Sequence, residues 1–113
     1  MIPDLQPSTL VDQAKLLEIR ETLASTLLSF PAGCCMLTAI AVEKRVGYEF
    51  IEGLFIDDNN VGHPHCWNLD TQSGEYVDLT ASQFNPAIAP VFRVRPESEE
   101  GRLRYIEGPT IAY

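Results

Sequence analysis

Gly33-Cys-Cys-Met-Leu-Thr-Ala-Ile-Ala-Val-Glu-Lys-Arg-Val-Gly47, followed at once by Tyr48-Glu-Phe-Ile-Glu-Gly-Leu-Phe-Ile56, contains the change of period that decides the fold. The first stretch predicts a helix over residues 34–46. Cys35, Met36, Leu37, Ala39, Ile40, Ala41 and Val42 leave little polar surface on its first three turns, so it reads as a central, buried helix. Lys44 and Arg45 suit the negative end of its dipole, and Gly47 supplies the left-handed cap. The second stretch reads as a strand, with Gly53 marking a candidate bulge.

Upstream, residues 1–7 form a lead-in with two prolines. Ser8 or Thr9 is expected to cap a first helix that runs to about Phe30, where Pro31 stops it. Leu10, Ala14, Leu17, Ala24 and Leu28 fall on one stripe of that helix, widened by Leu16, Leu23 and Leu27. Downstream, Asp57-Asp-Asn-Asn is a turn. His65–Leu69 and Glu75–Thr80 read as strands joined by the loop Thr71–Gly74, and residues 81–90 look irregular. Val91–Arg95 and Arg102–Ile106 suggest a second hairpin, although the latter segment also suits a helix. The expectation is one α+β domain over 1–113: two helices in 8–46, a β-sheet in 48–84, then an irregular segment and hairpin in 85–113.

The 113 residues suit a single core. Eight basic against sixteen acidic side chains give a net charge of -8, which argues against nucleic acid or an anionic membrane surface as partner. Met1-Ile-Pro-Asp-Leu lacks the basic end and apolar run of a signal peptide, and no stretch approaches the ~20 apolar residues of a membrane span. Three cysteines, two of them adjacent, fit reduced thiols in a cytoplasmic setting. Oligomeric state has no signature in the chain.

Three residues form a candidate catalytic constellation. Cys35 lies at the start of a helix, where unpaired N–H groups and the dipole favour a thiolate. His65 lies on a strand as a general base, and Asp78 lies on the next strand, able to accept the other ring N–H. A four-residue loop sets Trp67 opposite Asp78 and His65 opposite Thr80. His65 and Asp78 therefore share a face, diagonal to each other. Read from residue types alone, Cys35 equally fits a small core residue, His65 a hydrogen-bonded strand histidine and Asp78 a turn carboxylate.

Gly33-Cys-Cys-Met-Leu-Thr-Ala, then His65-Cys-Trp-Asn, then Gly74-Glu-Tyr-Val-Asp-Leu-Thr-Ala-Ser-Gln-Phe84 resembles the YunG-like family of small uncharacterised bacterial proteins. The same order of Cys, His and Asp on a helix and two strands is similar to papain-like and transglutaminase-like hydrolases and to arylamine acetyltransferases. The resemblance covers about residues 33–84 and ends at Phe84. It implies a papain-like core, with Cys35 as nucleophile, His65 as base and Asp78 as orienting acid, while Cys34 takes the variable position beside the nucleophile. The implied chemistry is thiol-dependent acyl transfer or hydrolysis on a peptide or a small amide- or thioester-containing substrate. The alternative is a non-catalytic binding or regulatory module that keeps the fold.

Around that constellation, Cys34, Trp67, Asn68 and Gln83 are candidate substrate-binding residues. Trp67 can wall a groove beside His65 or fill the core; Gln83 can supply a donor or steady a local turn. His63, His65, Cys66, Cys34 and Cys35 form a rival metal constellation, but the spacing matches no zinc motif and Cys66 points away from the histidines, so no metal is expected. Arg93, Arg95, Arg102 and Arg104 read as solvated charges opposite Glu97, Glu99, Glu100 and Glu107. No phosphate loop or dinucleotide fingerprint is present, so no cofactor is expected.

Overall fold

In the computed structural model, which describes residues 7–108, helices α1 (Pro7–Thr26) and α2 (Cys35–Val46) precede strands β1 (Glu49–Ile56), β2 (Gly62–Asp70) and β3 (Glu75–Asp78). A 3-10 turn at Ala81–Gln83, strand β4 (Phe92–Val94), helix α3 (Glu99–Arg104) and strand β5 (Tyr105–Glu107) complete the order. The strands form one antiparallel sheet in the order β4-β3-β2-β1-β5. The three helices pack on it, giving an α+β domain.

The two sheet faces bury different sets. Val77, Leu79 and Tyr48 meet Leu16 and Ile19 of α1 and Val42 of α2. The opposite face is largely aromatic: Ile51, Phe55, Trp67, Tyr76, Val94 and Tyr105 pack together with Ala81 and Ile88. Phe55 and Trp67 are almost wholly enclosed, and each fully buried large side chain stabilises the fold by about 1.5–3 kcal/mol.

The hairpin β2–β3 has the expected register. Asp70 pairs with Glu75 and Asn68 with Val77, which leaves residues 71–74 as the loop. Asp70 holds that loop by accepting from the backbone N–H groups of Gln72 at 3.0 Å and Ser73 at 3.3 Å, and Gly74 takes φ +76°. Gly47 caps α2 in the left-handed region, φ 86°.

Other expectations are corrected. The lead-in at 1–6 lies outside the described residues, and α1 already begins at Pro7, ahead of the expected cap at Ser8 or Thr9. It ends at Thr26 rather than near Phe30, because the Ser25 and Thr26 hydroxyls donate back to the Thr22 carbonyl at 2.8 and 2.7 Å and compete with further helix. Its buried stripe is Leu16, Ile19 and Leu23, whereas Ala14, Leu17, Ala24 and Leu28 are exposed. That buried side also carries Asp12, which accepts from the Tyr48 hydroxyl at 2.9 Å, and Arg20, which donates to the Leu79 carbonyl at 3.1 Å. Polar members with partners disguised the face.

Helix α2 is not buried all round: Met36 and Leu37 are more than half exposed. Strand β1 has no bulge, since its pairing with β2 runs unbroken from Glu49–Leu69 to Ile56–Gly62. Gly53 serves close approach instead. A Cβ there would lie 2.0 Å from the Ile106 carbonyl oxygen and 2.7 Å from the Trp67 ring.

The second hairpin does not form. β4 pairs with β3 and β5 with β1, at opposite edges of the sheet. Between them Ser98 caps α3 by accepting from the Gly101 N–H at 3.0 Å, with Glu99 and Glu100 in the first turn and Arg102 and Arg104 in the last. Arg93 is not solvated. It donates to Asp70 and Glu75 at 3.2 Å each and to the Tyr48 hydroxyl at 2.9 Å.

Candidate active site

The β2–β3 register sets Asp78 diagonal to His65 on the aromatic face, and the two side chains bond there. His65 Nε2 and Asp78 Oδ2 lie 2.8 Å apart, both almost completely buried. The carboxylate also accepts from the Tyr105 hydroxyl at 2.8 Å on the same oxygen. Its other oxygen accepts from the Thr80 N–H at 2.9 Å and the Thr80 hydroxyl at 3.3 Å. Burial opposes ionisation of Asp78, but the His65 charge and these donors hold its carboxyl below the usual carboxylate range. Tyr105 enforces this from β5, two strands beyond β2. Nothing in the sequence links Tyr105 to Asp78.

An ionised Asp78 fixes the tautomer. Nε2 carries a proton toward the carboxylate, and Nδ1 faces away from it. Nδ1 is buried and has no hydrogen-bond partner. Burial alone would lower the pKa of His65, yet the adjacent Asp78 charge outweighs it and raises the value to about 9. The ring is wedged by Phe55 and Phe84 edge-on and by Trp67, whose ring plane lies 24° from its own.

Cys35 opens α2, and its thiol lies beside the Cys66 thiol and the His65 ring. The neighbouring Cys66 thiol favours its ionisation most; burial opposes it; the adjacent His65 and its charge favour it, and the net result is a pKa lowered from 9.0 to about 4. His65 Nδ1 itself has no hydrogen-bond partner. Helix α2 is positioned by Asn68, whose Nδ2 donates to the Ala39 carbonyl at 2.9 Å and reaches the Tyr48 carbonyl at 3.5 Å.

The candidate substrate-binding residues divide. Cys34 is buried, its thiol donating to the Ala32 carbonyl at 3.4 Å and lying 3.8 Å from the Ser29 hydroxyl, so it faces the preceding loop. Trp67 is 1% exposed and belongs to the aromatic core rather than to a groove wall. Asn68 is also buried and holds α2 and the start of β1, not a ligand. Gln83 is the exception. Its Oε1 accepts from the Gly33 N–H at 3.4 Å, two residues before Cys35, and its buried Nε2 has no partner.

The metal constellation is split: Cys35, Cys66 and His65 are neighbours, but His63 and Cys34 are turned elsewhere. His63 Nε2 pairs with Asp57 at 2.8 Å and His65 with Asp78, and Cys66 lies on the other face. Among the described residues no cluster of three or more His, Cys, Asp or Glu is placed to hold a metal ion. No helix among them is long and apolar enough to cross a membrane. Comparison with known proteins gives no match to a family model, a curated protein or a solved structure.

Proposed function

We propose that the protein is a thiol-dependent hydrolase or acyltransferase with a papain-like core related to the YunG-like family, acting on an amide or thioester through Cys35, His65 and Asp78. The observation that carries this reading is the buried Asp78–His65 pair, which leaves His65 Nδ1 unpartnered beside a low-pKa thiol. The Cys35 thiolate attacks the substrate carbonyl carbon, and the carbonyl electron pair moves to oxygen. The first N–H groups of α2 and the free Nε2 of Gln83 are suited to receive that oxyanion. Protonated His65 gives its Nδ1 proton to the departing amine or thiolate. Neutral His65 then takes a proton at Nδ1 from the water or acceptor that attacks the acyl-thioester, while Asp78 stays ionised. A peptide or a small amide is the fitting substrate class, and three free thiols suit a reducing, cytoplasmic setting.

The test is acyl capture. The protein is incubated with a p-nitrophenyl ester and with an N-acyl thioester, and its intact mass is read. An acyl adduct mapped to Cys35, absent in Cys35→Ser and strongly slowed in His65→Ala, is expected. If neither donor acylates Cys35 faster than an unfolded cysteine peptide, the catalytic reading is wrong and the non-catalytic binding module replaces it.

A further inference from the structure

Cys66 is a buried thiol that the proposed acyl chemistry does not consume, and the packing sets it against Cys35. Asn68 bonds the Ala39 carbonyl and so fixes α2 over β2. Cys35 lies about one helical turn before Ala39, a rise of about 6 Å. Cys66 lies two strand residues before Asn68 on the same face, about 6.7 Å along β2. α2 ends in its cap at Gly47 and the chain enters β1 at Glu49, which pairs with Leu69, so α2 runs in the same sense as β2. Both steps therefore lead toward the Gly62 end of β2 and bring Cys35 level with Cys66, where the thiols are neighbours. Cys35 is half-buried whereas Cys66 is 6% exposed, so a solute reaches Cys35 first. Cys34 is turned away to Ala32 and Ser29.

We propose that Cys35 and Cys66 form a reversible disulfide, in which a hydroperoxide oxidises Cys35 and Cys66 resolves it. This rests on the reading of Cys35 as an activated thiolate. The thiolate attacks one oxygen of the hydroperoxide; the S–O bond forms, the O–O bond breaks, and the departing alkoxide or hydroxide takes a proton from His65. The Cys66 sulfur then attacks the Cys35 sulfur; the S–S bond forms, the S–O bond breaks, and the leaving hydroxide combines with the Cys66 proton as water. Two thiols are oxidised by two electrons, and one hydroperoxide is reduced to an alcohol or water, plus water. The proton affinity of Cys66 is raised first by its bond to Cys35, then by burial and the Cys35 charge. Conversion of Cys35 to a neutral sulfenic acid removes that charge and frees Cys66 to ionise. The disulfide caps the candidate nucleophile, and a dithiol reductant uncaps it.

Reduced Cys34→Ser protein is treated with hydrogen peroxide, quenched with N-ethylmaleimide, and read by intact mass and tryptic mapping. The expected product has lost two hydrogens, carries no maleimide, yields a cross-linked Cys35–Cys66 peptide and returns to the starting mass with dithiothreitol. In Cys34→Ser/Cys66→Ser the Cys35 sulfenic acid persists and is trapped by dimedone. Oxygen gained at Cys35 with Cys66 still alkylated overturns the pairing, as does a Cys34–Cys66 link in the wild-type chain, where fragmentation separates Cys34 from Cys35 should Cys34→Ser fail to fold. Alkylation of the reduced protein in mild acid separates the two readings. Fast alkylation without the disulfide removes the pairing alone, and slow alkylation removes the activated thiolate.

Discussion

Alkylation of Cys35 by iodoacetamide, followed by peptide mass in a Cys34→Ser background, should be almost independent of pH between about 5 and 8. Near pH 5 a thiol at the ordinary value of 9.0 is about 10⁻⁴ ionised, whereas one lowered to about 4 is about nine-tenths ionised. The gain in thiolate is therefore roughly 10⁴. Lower basicity takes back about 2–2.5 decades of intrinsic nucleophilicity at a Brønsted slope of about 0.4–0.5. The surviving advantage is about 30–100-fold near pH 5, about 3–10-fold near pH 6 and close to none near pH 7. Mild acid is thus where the experiment discriminates. Half-burial of Cys35 lowers the rate at every pH and leaves the slope unchanged. The groups that shape the profile are Cys66 from β2, His65 with Asp78 behind it, and Tyr105 on Asp78. His65→Ala removes the His65 contribution to the thiolate and leaves that of Cys66, so its rate near pH 5 should fall and its curve should shift to higher pH. Superimposable curves for wild type and His65→Ala, or a wild-type rate climbing tenfold per unit from pH 5, would refute the ion pair.

Three further outcomes follow from the same geometry. The chain has only two histidines, so the His65 ring can be followed directly by NMR; it should titrate at about 9, and clearly lower in Asp78→Asn, where burial is opposed by Cys35 alone. A titration unchanged in Asp78→Asn would remove Asp78 as the cause. Gly53→Ala should destabilise the fold by about 1–3 kcal/mol in urea denaturation and strip amide protection from β5 first, because the new Cβ meets Ile106 and Trp67; a wild-type midpoint would contradict that. Gln83→Ala should lower the acylation turnover about 10²–10³-fold with little change in KM if its Nε2 receives the oxyanion, and an effect confined to KM would assign it to substrate binding.

The legible parts of the fold were those with local causes. The change of period after Gly47, the cap at Gly47 and the Asp57 turn each depend on a few adjacent residues. So does the loop between Asp70 and Glu75, and through it the sequence already places His65 and Asp78 on one face. Parts decided by distant partners were not legible. The buried face of α1 includes Asp12 and Arg20, polar residues held there by bonds to Tyr48 and Leu79 that no local pattern announces. Val91–Arg95 and Arg102–Ile106 have strand character, but the edge each joins is set by a different strand upstream: β3 for the first and β1, about fifty residues away, for the second. Adjacency to His65 makes Trp67 and Asn68 candidate groove residues, with the core as the other reading for Trp67; strand alternation sends Trp67 to the aromatic core and Asn68 to α2. Tyr105 gave no signal at all.

The bond from Tyr105 to Asp78 spans 27 residues of sequence and joins β5 to β3 across the width of the sheet. Because a ribosome builds the chain in order, α2, β1, β2 and β3 are all synthesised before β5. Until then β1 lacks its partner on the β5 side, and Asp78 lacks one of its donors. Full definition of the carboxylate, and hence of the imidazole it steers, waits on the arrival of Tyr105. A nascent or truncated chain ending before that residue carries Cys35, His65 and Asp78 in its sequence, yet holds them in an unfinished electrostatic setting.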